Sequence, residues 1–428
     1  MKKILSTAVI LTTIMMLTVS CNETTKQTNE SMTAAANVAD CSDENGTNNH
    51  SDSPASSKDN SSARKKKIDT ATVKLNKLPL PPELSDLTTP DLPGYPHAEL
   101  LTMDGDNLIL DIGAISLSGI FGRSKGIYSY NVKDQKLVTL KDLSEEENRV
   151  WAAQTAEDCL YYLTVGSKDG KIGLWSKPEK DKAVFVKEIP SIDNLNLMPL
   201  LIKLSGKVYV IYGEKNGEKY RINFAQVEAG QIKQVCSYDC WMFDDNREVP
   251  QNIPVVGALR PDGGQNDWVF LSNVGSGNKK YLIKFDGEKL TEAELPCAAE
   301  IAYNFGDLNV MKGGLTNRND GSNFVDVTVY DWAEKMVVAE QKHVPEFYRA
   351  QAISSSVGVV LGAANTNYAL NLFEITGNAI KIGKTLGNLD VSARFYAGTN
   401  AIYAWVLSYG EKTSKNELYS ITWSATDK

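Results

Sequence analysis

The residues of this 428-residue chain best suited to chemistry gather in one stretch, Cys236–Pro254. There Trp241 and Phe243 stand beside Asp244, Asp245, Arg247 and Glu248. Aromatic rings give a ligand an apolar floor, and a few carboxylates with a guanidinium orient it; the composition suits sugar or peptide recognition. The same carboxylates can do general acid–base work in a glycoside hydrolase or lyase, but that needs a set separation between two of them. Two further segments carry similar residues: Lys312–Asn323, with Asn317, Arg318 and Asp320, and Gln341–Arg349, with His343 and Tyr348. No spacing links a nucleophile, a base and an oxyanion donor, so no catalytic residue is assigned and binding leads. Histidine is scarce (His50, His97 and His343), which starves a three-histidine zinc site; neither metal nor cofactor is expected. Cys236 and Cys240 can close a small-loop disulfide in an oxidising space and can equally stay reduced. Cys159, inside a dense apolar run, is expected to be a buried small hydrophobe.

The elements that must position these residues are short strands. From Arg149 to Ile189 four β-like runs rich in Val, Ile, Tyr, Phe and Trp alternate with turn clusters of Gly, Asp, Glu, Lys and Ser. The first-turn-second strand pair returns at Ala98, Trp151, Met198, Val256, Glu300, Arg349 and Ser392, and a third strand follows each. Six of these units add a fourth strand; the seventh stops at Trp423 without one. One such unit cannot bury both its faces alone, so the copies must stack on each other. Asp104-Gly105-Asp106 and Asp286-Gly287-Glu288 read as turns. Pro261–Trp268 resembles the Asp-box of sialidases, but its Asp262-to-Trp268 spacing is one residue too long, and it reads as a hairpin turn.

Composition is that of an ordinary globular protein, 42% hydrophobic and 23% charged with a formal net charge of −8. A mildly acidic chain lacks the concentrated basic face that nucleic acid requires, so no nucleic-acid partner is expected. Residues 1–20 read as a signal segment: Lys2 and Lys3 are followed by the apolar Ile4–Val19. The end of that segment, Leu17-Thr18-Val19-Ser20-Cys21, resembles the lipobox of bacterial lipoproteins, with Thr18 standing where Leu is commonest. The resemblance implies cleavage before Cys21, lipidation of that cysteine and anchoring to a cell-envelope membrane, the outer one by preference. Residues 21–67, rich in Ser, Thr, Asn, Asp and Lys, have too few large apolar side chains to offset the entropy of ordering, and read as a tether.

The folded domain is expected over 68–428. Thr70–Asn76 alternates as a strand, and a Pro-rich crossing, Lys77–His97, separates it from the first repeat. An orphan strand at the start and a missing one at the end are complementary. Together they resemble the ring closure of a β-propeller, in which the N-terminal strand becomes the outer strand of the last blade. The fold is therefore expected to be all-β, a seven-bladed propeller of four-stranded blades. In such rings the fourth-to-first and second-to-third connections share one face, which would carry Trp241–Glu248, Asn317–Asn323 and His343–Tyr348. The function expected is that of an envelope lipoprotein binding a glycan or protein partner, with an envelope hydrolase or lyase as the alternative.

Overall fold

The computed structural model describes residues 67–89, 92, 94–115, 122–143, 148–166, 170–190, 199–216, 219–228, 230–241, 269–274, 280–294, 299–305, 308–317, 323–364, 367–398, 400–410 and 412–426. The signal segment, Cys21, nearly all of the tether and the Asp-box-like turn lie outside them.

The described chain opens with β1 (Lys67–Leu78), a single helical turn α1 (Pro82–Ser85) and the two-residue β2 (Asp86–Leu87). Four-stranded antiparallel meanders follow. The first comprises β3 (Tyr95–Asp104), β4 (Asn107–Ile115), β5 (Gly122–Asn131) and β6 (Lys136–Asp142). The second is β7 (Asn148–Ala156), β8 (Cys159–Gly166), β9 (Ile172–Pro178) and β10 (Val184–Ile189). The third is β11 (Leu200–Leu204), β12 (Lys207–Asn216), β13 (Lys219–Glu228) and β14 (Gln231–Trp241). Three strands are described in the fourth: β15 (Val269–Val274), β16 (Lys280–Phe285) and β17 (Leu290–Glu294). Its expected first strand, near Val256, lies outside the described residues. The fifth is β18 (Ala299–Phe305), β19 (Leu308–Asn317), β20 (Asn323–Asp331) and β21 (Met336–Pro345). The sixth is β22 (Phe347–Ala352), β23 (Val357–Ala364), β24 (Asn367–Thr376) and β25 (Ala379–Leu389). The last holds β26 (Arg394–Ala397), β27 (Ile402–Ser408) and β28 (Ser414–Thr426).

Each sheet packs on the next, and the last packs on the first. Ile109 and Ile127 meet Val150 and Tyr162; Tyr161 and Leu163 meet Leu201 and Val210; Tyr209 and Phe224 meet Ile283 and Phe285. Then β15 contacts β18, Phe305 and Val327 meet Phe347 and Phe373, and Leu361 and Leu372 meet Ile402 and Ile421. The circuit closes where Tyr403 and Trp405 pack with Leu100 and Leu110. A closed circuit of antiparallel meanders is a β-propeller. It explains why β4, β8 and β27 are near-continuous apolar runs: second strands are covered on both faces by neighbouring sheets. Each large side chain fully buried there contributes about 1.5–3 kcal/mol. One interface is tight enough to demand glycine. A Cβ on Gly358 would overlap the buried ring of Phe305 from the preceding sheet.

The seventh sheet is completed from the N-terminus. β1 lies antiparallel to β28, from Lys67 opposite Thr426 to Leu78 opposite Leu418, with an irregularity between Asp69 and Lys74. β2 pairs with the start of β28, and Asn416 donates its side-chain amide to the Leu84 carbonyl. The first and last strands thus clasp the ring, as the complementary ends of the repeat pattern anticipate.

Several segments expected as loops are strand. The fourth strand of the third sheet runs on through Trp241, so Cys236–Trp241 belongs to β14. Only Glu346 separates β21 from β22, so His343 and Tyr348 are strand residues rather than loop residues, and Lys312–Asn317 is the second half of β19. In each case the ladder continues because the partner strand is equally long, β13 for β14 and β20 for both β19 and β21. Hydrogen-bonding opportunity outweighs the turn-like composition.

Candidate functional site

Among the described residues, the innermost strand of a sheet starts where the chain arrives from the outermost strand of the sheet before, and neighbouring innermost strands are in contact. Three of these strands carry an arginine near that end: Arg149 in β7, Arg349 in β22 and Arg394 in β26. β3, between β26 and β7 in the ring, contributes Glu99. Arg149 Nη2 donates to Glu99 Oε2 at 2.9 Å, and Arg394 Nη1 donates to Glu99 Oε1 at 2.5 Å. One carboxylate is thereby shared between cations from two flanking sheets. Burial alone would push Glu99 up, but the charges of Arg394 and Arg149 prevail and hold its carboxyl at about 2. The Glu99 charge in turn raises Arg394 further, against its burial.

Arg349 is differently placed. It has no hydrogen-bond or ion-pair partner among the described residues, and its Nε is buried without one. Burial, and then the positive charge of Arg394, lower its pKa. This is a cation held beside another cation with no anion paired to it among the described residues.

Aromatic side chains frame the cluster. Trp151 lies under Arg149, with the guanidinium carbon 5.8 Å from the ring centroid. Tyr396 donates its hydroxyl to the Leu100 carbonyl at 2.5 Å, and Tyr303 donates to the Tyr348 carbonyl at 3.0 Å. Tyr409, in the connection between β27 and β28, is 40% exposed. Burial of its hydroxyl and the nearby charge of Glu99 push its pKa up to about 12. Burial also raises Tyr303 and Tyr396, so these phenols stay protonated and able to donate at neutral pH. Behind Glu99, His97 and Asp111 form a pair with Nε2 and Oδ2 2.9 Å apart, their side chains 1% and 0% exposed. Among the described residues no group of His, Cys, Asp and Glu is arranged to hold a metal ion.

The residues singled out from sequence divide. Phe243, Asp244, Asp245, Arg247, Glu248, Arg318 and Asp320 lie outside the described residues. Trp241 ends β14 opposite Lys219, and Asn317 ends β19 opposite Asn323. His343 is an exposed bulge residue on the outermost strand β21. Its φ is +57°, and its backbone N–H donates to Asp326 Oδ1 at 3.1 Å. Tyr348 alone is on an innermost strand. Its hydroxyl donates to Glu346 Oε2 at 3.2 Å, and Asn323 Nδ2 donates to the same oxygen at 2.8 Å. That carboxylate links Asn323, the first residue of β20, to Tyr348. Lys312 reaches the same place, donating Nζ to the Phe347 carbonyl at 2.9 Å.

The small-loop disulfide does not form. Cys236 is a free thiol on the same extended strand as Cys240, and burial with Asp286 nearby pushes it up to about 11. Four residues of strand separate two Cα atoms by about 13 Å, beyond the reach of a disulfide. Cys159, also free, is half-buried at the start of β8 rather than in the core, because it follows the turn. The arginine cluster itself was missed from sequence. Its signal was present as a recurrent arginine near the start of first strands, Arg149, Arg349 and Arg394, among residues noted only for their apolar pattern.

No family model matches the chain, and no curated protein matches it. Solved structures with a similar chain path include the β-propeller domain of the trilobed protease from Pyrococcus furiosus (TM-score 0.45, 11% identity, covering 78% of this chain and 95% of that one). An acylaminoacyl peptidase from Pyrococcus horikoshii gives 0.46 and 10%, over 76% and 51% of the two chains. An oligogalacturonate lyase in complex with manganese gives 0.43 and 14%, over 84% and 96%. Likeness at this level names no activity for this chain.

Proposed function

We propose that this chain is a binding module of the bacterial cell envelope, carried on a membrane by lipidated Cys21, whose propeller offers its channel mouth to a glycan or protein partner. The observation that carries the reading is the convergence of Glu99, Arg149, Arg349 and Arg394 with Tyr303, Tyr396 and Tyr409 from separate sheets. Charged groups and rings drawn from separate sheets to one place can serve recognition, and they also tie the sheets together, since Arg394 and Tyr396 of the last sheet bond Glu99 and Leu100 of the first. A hydrolase or lyase is the weaker reading. Glu99, the carboxylate at the centre of the cluster, is held ionised by two arginines, the wrong state for a general acid.

Binding to glycan and peptide arrays tests this. Tyr409→Ala should weaken retention of the bound class by about 1–3 kcal/mol, the cost of losing an aromatic anchor, and leave the melting temperature unchanged. Lys180→Ala, in the exposed turn before β10 on the opposite face, should alter neither. Equal loss in both variants, or loss with Lys180 alone, places the binding surface elsewhere.

A further inference from the structure

Resting on the reading that the channel mouth is the binding face, we infer that Arg349 and Arg394 form a subsite for the carboxylate of an acidic saccharide. Arg149 and Arg394 both pair with Glu99, and Arg349 stands close enough to Arg394 to feel its charge. Those two arginines use both oxygens of Glu99, and Arg349 has no ion-pair partner among the described residues.

Arg349 is the telling residue. A guanidinium carries five N–H donors and stays charged at any working pH. Removing it from water without an anion is costly, and placing it beside Arg394 adds repulsion. Its pKa is lowered for those two reasons, and its Nε is buried with no acceptor. Arg394 spends Nη1 on Glu99 and stands 44% exposed. A planar anion entering between the two would accept paired N–H donors from one or both, the geometry that favours carboxylate. It would also discharge the repulsion that the empty site carries.

The surroundings select a saccharide over a peptide. Among the described residues the exposed large hydrophobics are Val138, Val184, Phe185, Met336 and Tyr409. The first four lie on the outermost strands β6, β10 and β21, and only Tyr409 stands at the mouth. A peptide partner would want aliphatic area where its anchors dock. The mouth instead offers a phenol ring, charge and hydroxyls held neutral, which suits a sugar ring stacked on one face and hydrogen-bonded at its edge.

Calorimetric titration of the full chain with uronate oligosaccharides (polymannuronate, polygalacturonate and hyaluronan fragments) decides it. Their carboxyl-reduced counterparts, a sulfated oligosaccharide without carboxylates and an oligoglutamate peptide complete the set. At least one uronate should bind, its carboxyl-reduced form should not, and affinity should fall as salt rises. Arg349→Gln should weaken that binding about tenfold or more with the melting temperature kept, and Arg349→Lys should recover only part of it, since lysine keeps the charge but loses the fork. If Arg349→Gln fails to fold, Arg349→Lys carries the comparison, and a fall in affinity supports the subsite. The inference is overturned if no uronate binds, if reduced and charged forms bind alike, or if the sulfated sugar or the peptide is preferred. It is also overturned if both Arg349 variants bind like the parent. Should Tyr409→Ala still abolish array binding when every uronate fails, the binding face stands and the carboxylate subsite alone falls.

Discussion

At the scale of single residues, Glu99 decides how the charged mouth behaves. Its carboxyl sits at about 2, below the ordinary 4.5, because Arg394 and Arg149 outweigh the effect of burial. A depressed folded-state pKa adds stability above the ordinary value, and that contribution is lost as pH falls through the folded one. Glu99→Gln should therefore lower stability at neutral pH by about 2 kcal/mol, less than a fully buried pair would lose because the Glu99 side chain is 21% exposed. The gap between parent and variant should shrink as pH drops from 4.5 towards 2. Thermal melts across that window test it, and a gap independent of pH would mean that the ion pairs are not what Glu99 contributes. Arg349 shows the opposite condition, a cation whose environment disfavours its charge until something else arrives.

At the scale of elements, the clasp matters most. β1 covers the outer edge of β28 from Leu418 to Thr426, beyond the two residues that β2 pairs, and Val73 is fully buried in the cluster that joins the sixth and seventh sheets. Side-chain bonds add register: Thr72 Oγ1 accepts from the Ser424 N–H at 2.8 Å, and Lys384 of β25 donates to the Ala71 and Val73 carbonyls at 3.3 Å each. The Lys77–Glu417 pair is largely solvent-exposed and contributes little. Deleting Ile68–Asn76 should leave β28 with an open edge, which invites pairing between molecules. Loss of a single cooperative melt, or aggregation on size-exclusion chromatography, is expected. A truncated protein that melts like the parent would show that closure does not depend on this strand. A milder variant, Val73→Ala, should cost about 2 kcal/mol through its cavity.

At the scale of the whole molecule, the ring converts local repetition into one opening. Sheets that cannot bury their faces alone pack pairwise around a circuit, and that circuit brings β22, β26, β3 and β7 side by side although Glu99 and Arg394 are 295 residues apart in sequence. The proposed anchor belongs to this scale too. Cys21→Ala should abolish lipidation and release the protein from the membrane fraction; a variant that partitions like the parent would sink the lipoprotein reading. Among the described residues no helix is long and apolar enough to cross a membrane.

Much of this was legible in the chain itself. Strand type and order follow from side-chain periodicity and turn residues, and the missing last strand with an orphan first strand announced the clasp; these signals are local or complementary along the sequence. Strand ends were not legible. Whether Cys236–Trp241 or Gln341–Pro345 pairs depends on the length of the neighbouring strand, which composition does not encode. Nor was the site. Loops drew attention because Trp241, Asp244 and Glu248 stand together in sequence, whereas Glu99, Arg149, Arg349 and Arg394 are each unremarkable alone. Their chemistry exists only once the ring has closed, because a shared carboxylate and an unanswered guanidinium are properties of distance in space. Strand pattern is written residue by residue, but charge complementarity across sheets is set by tertiary packing.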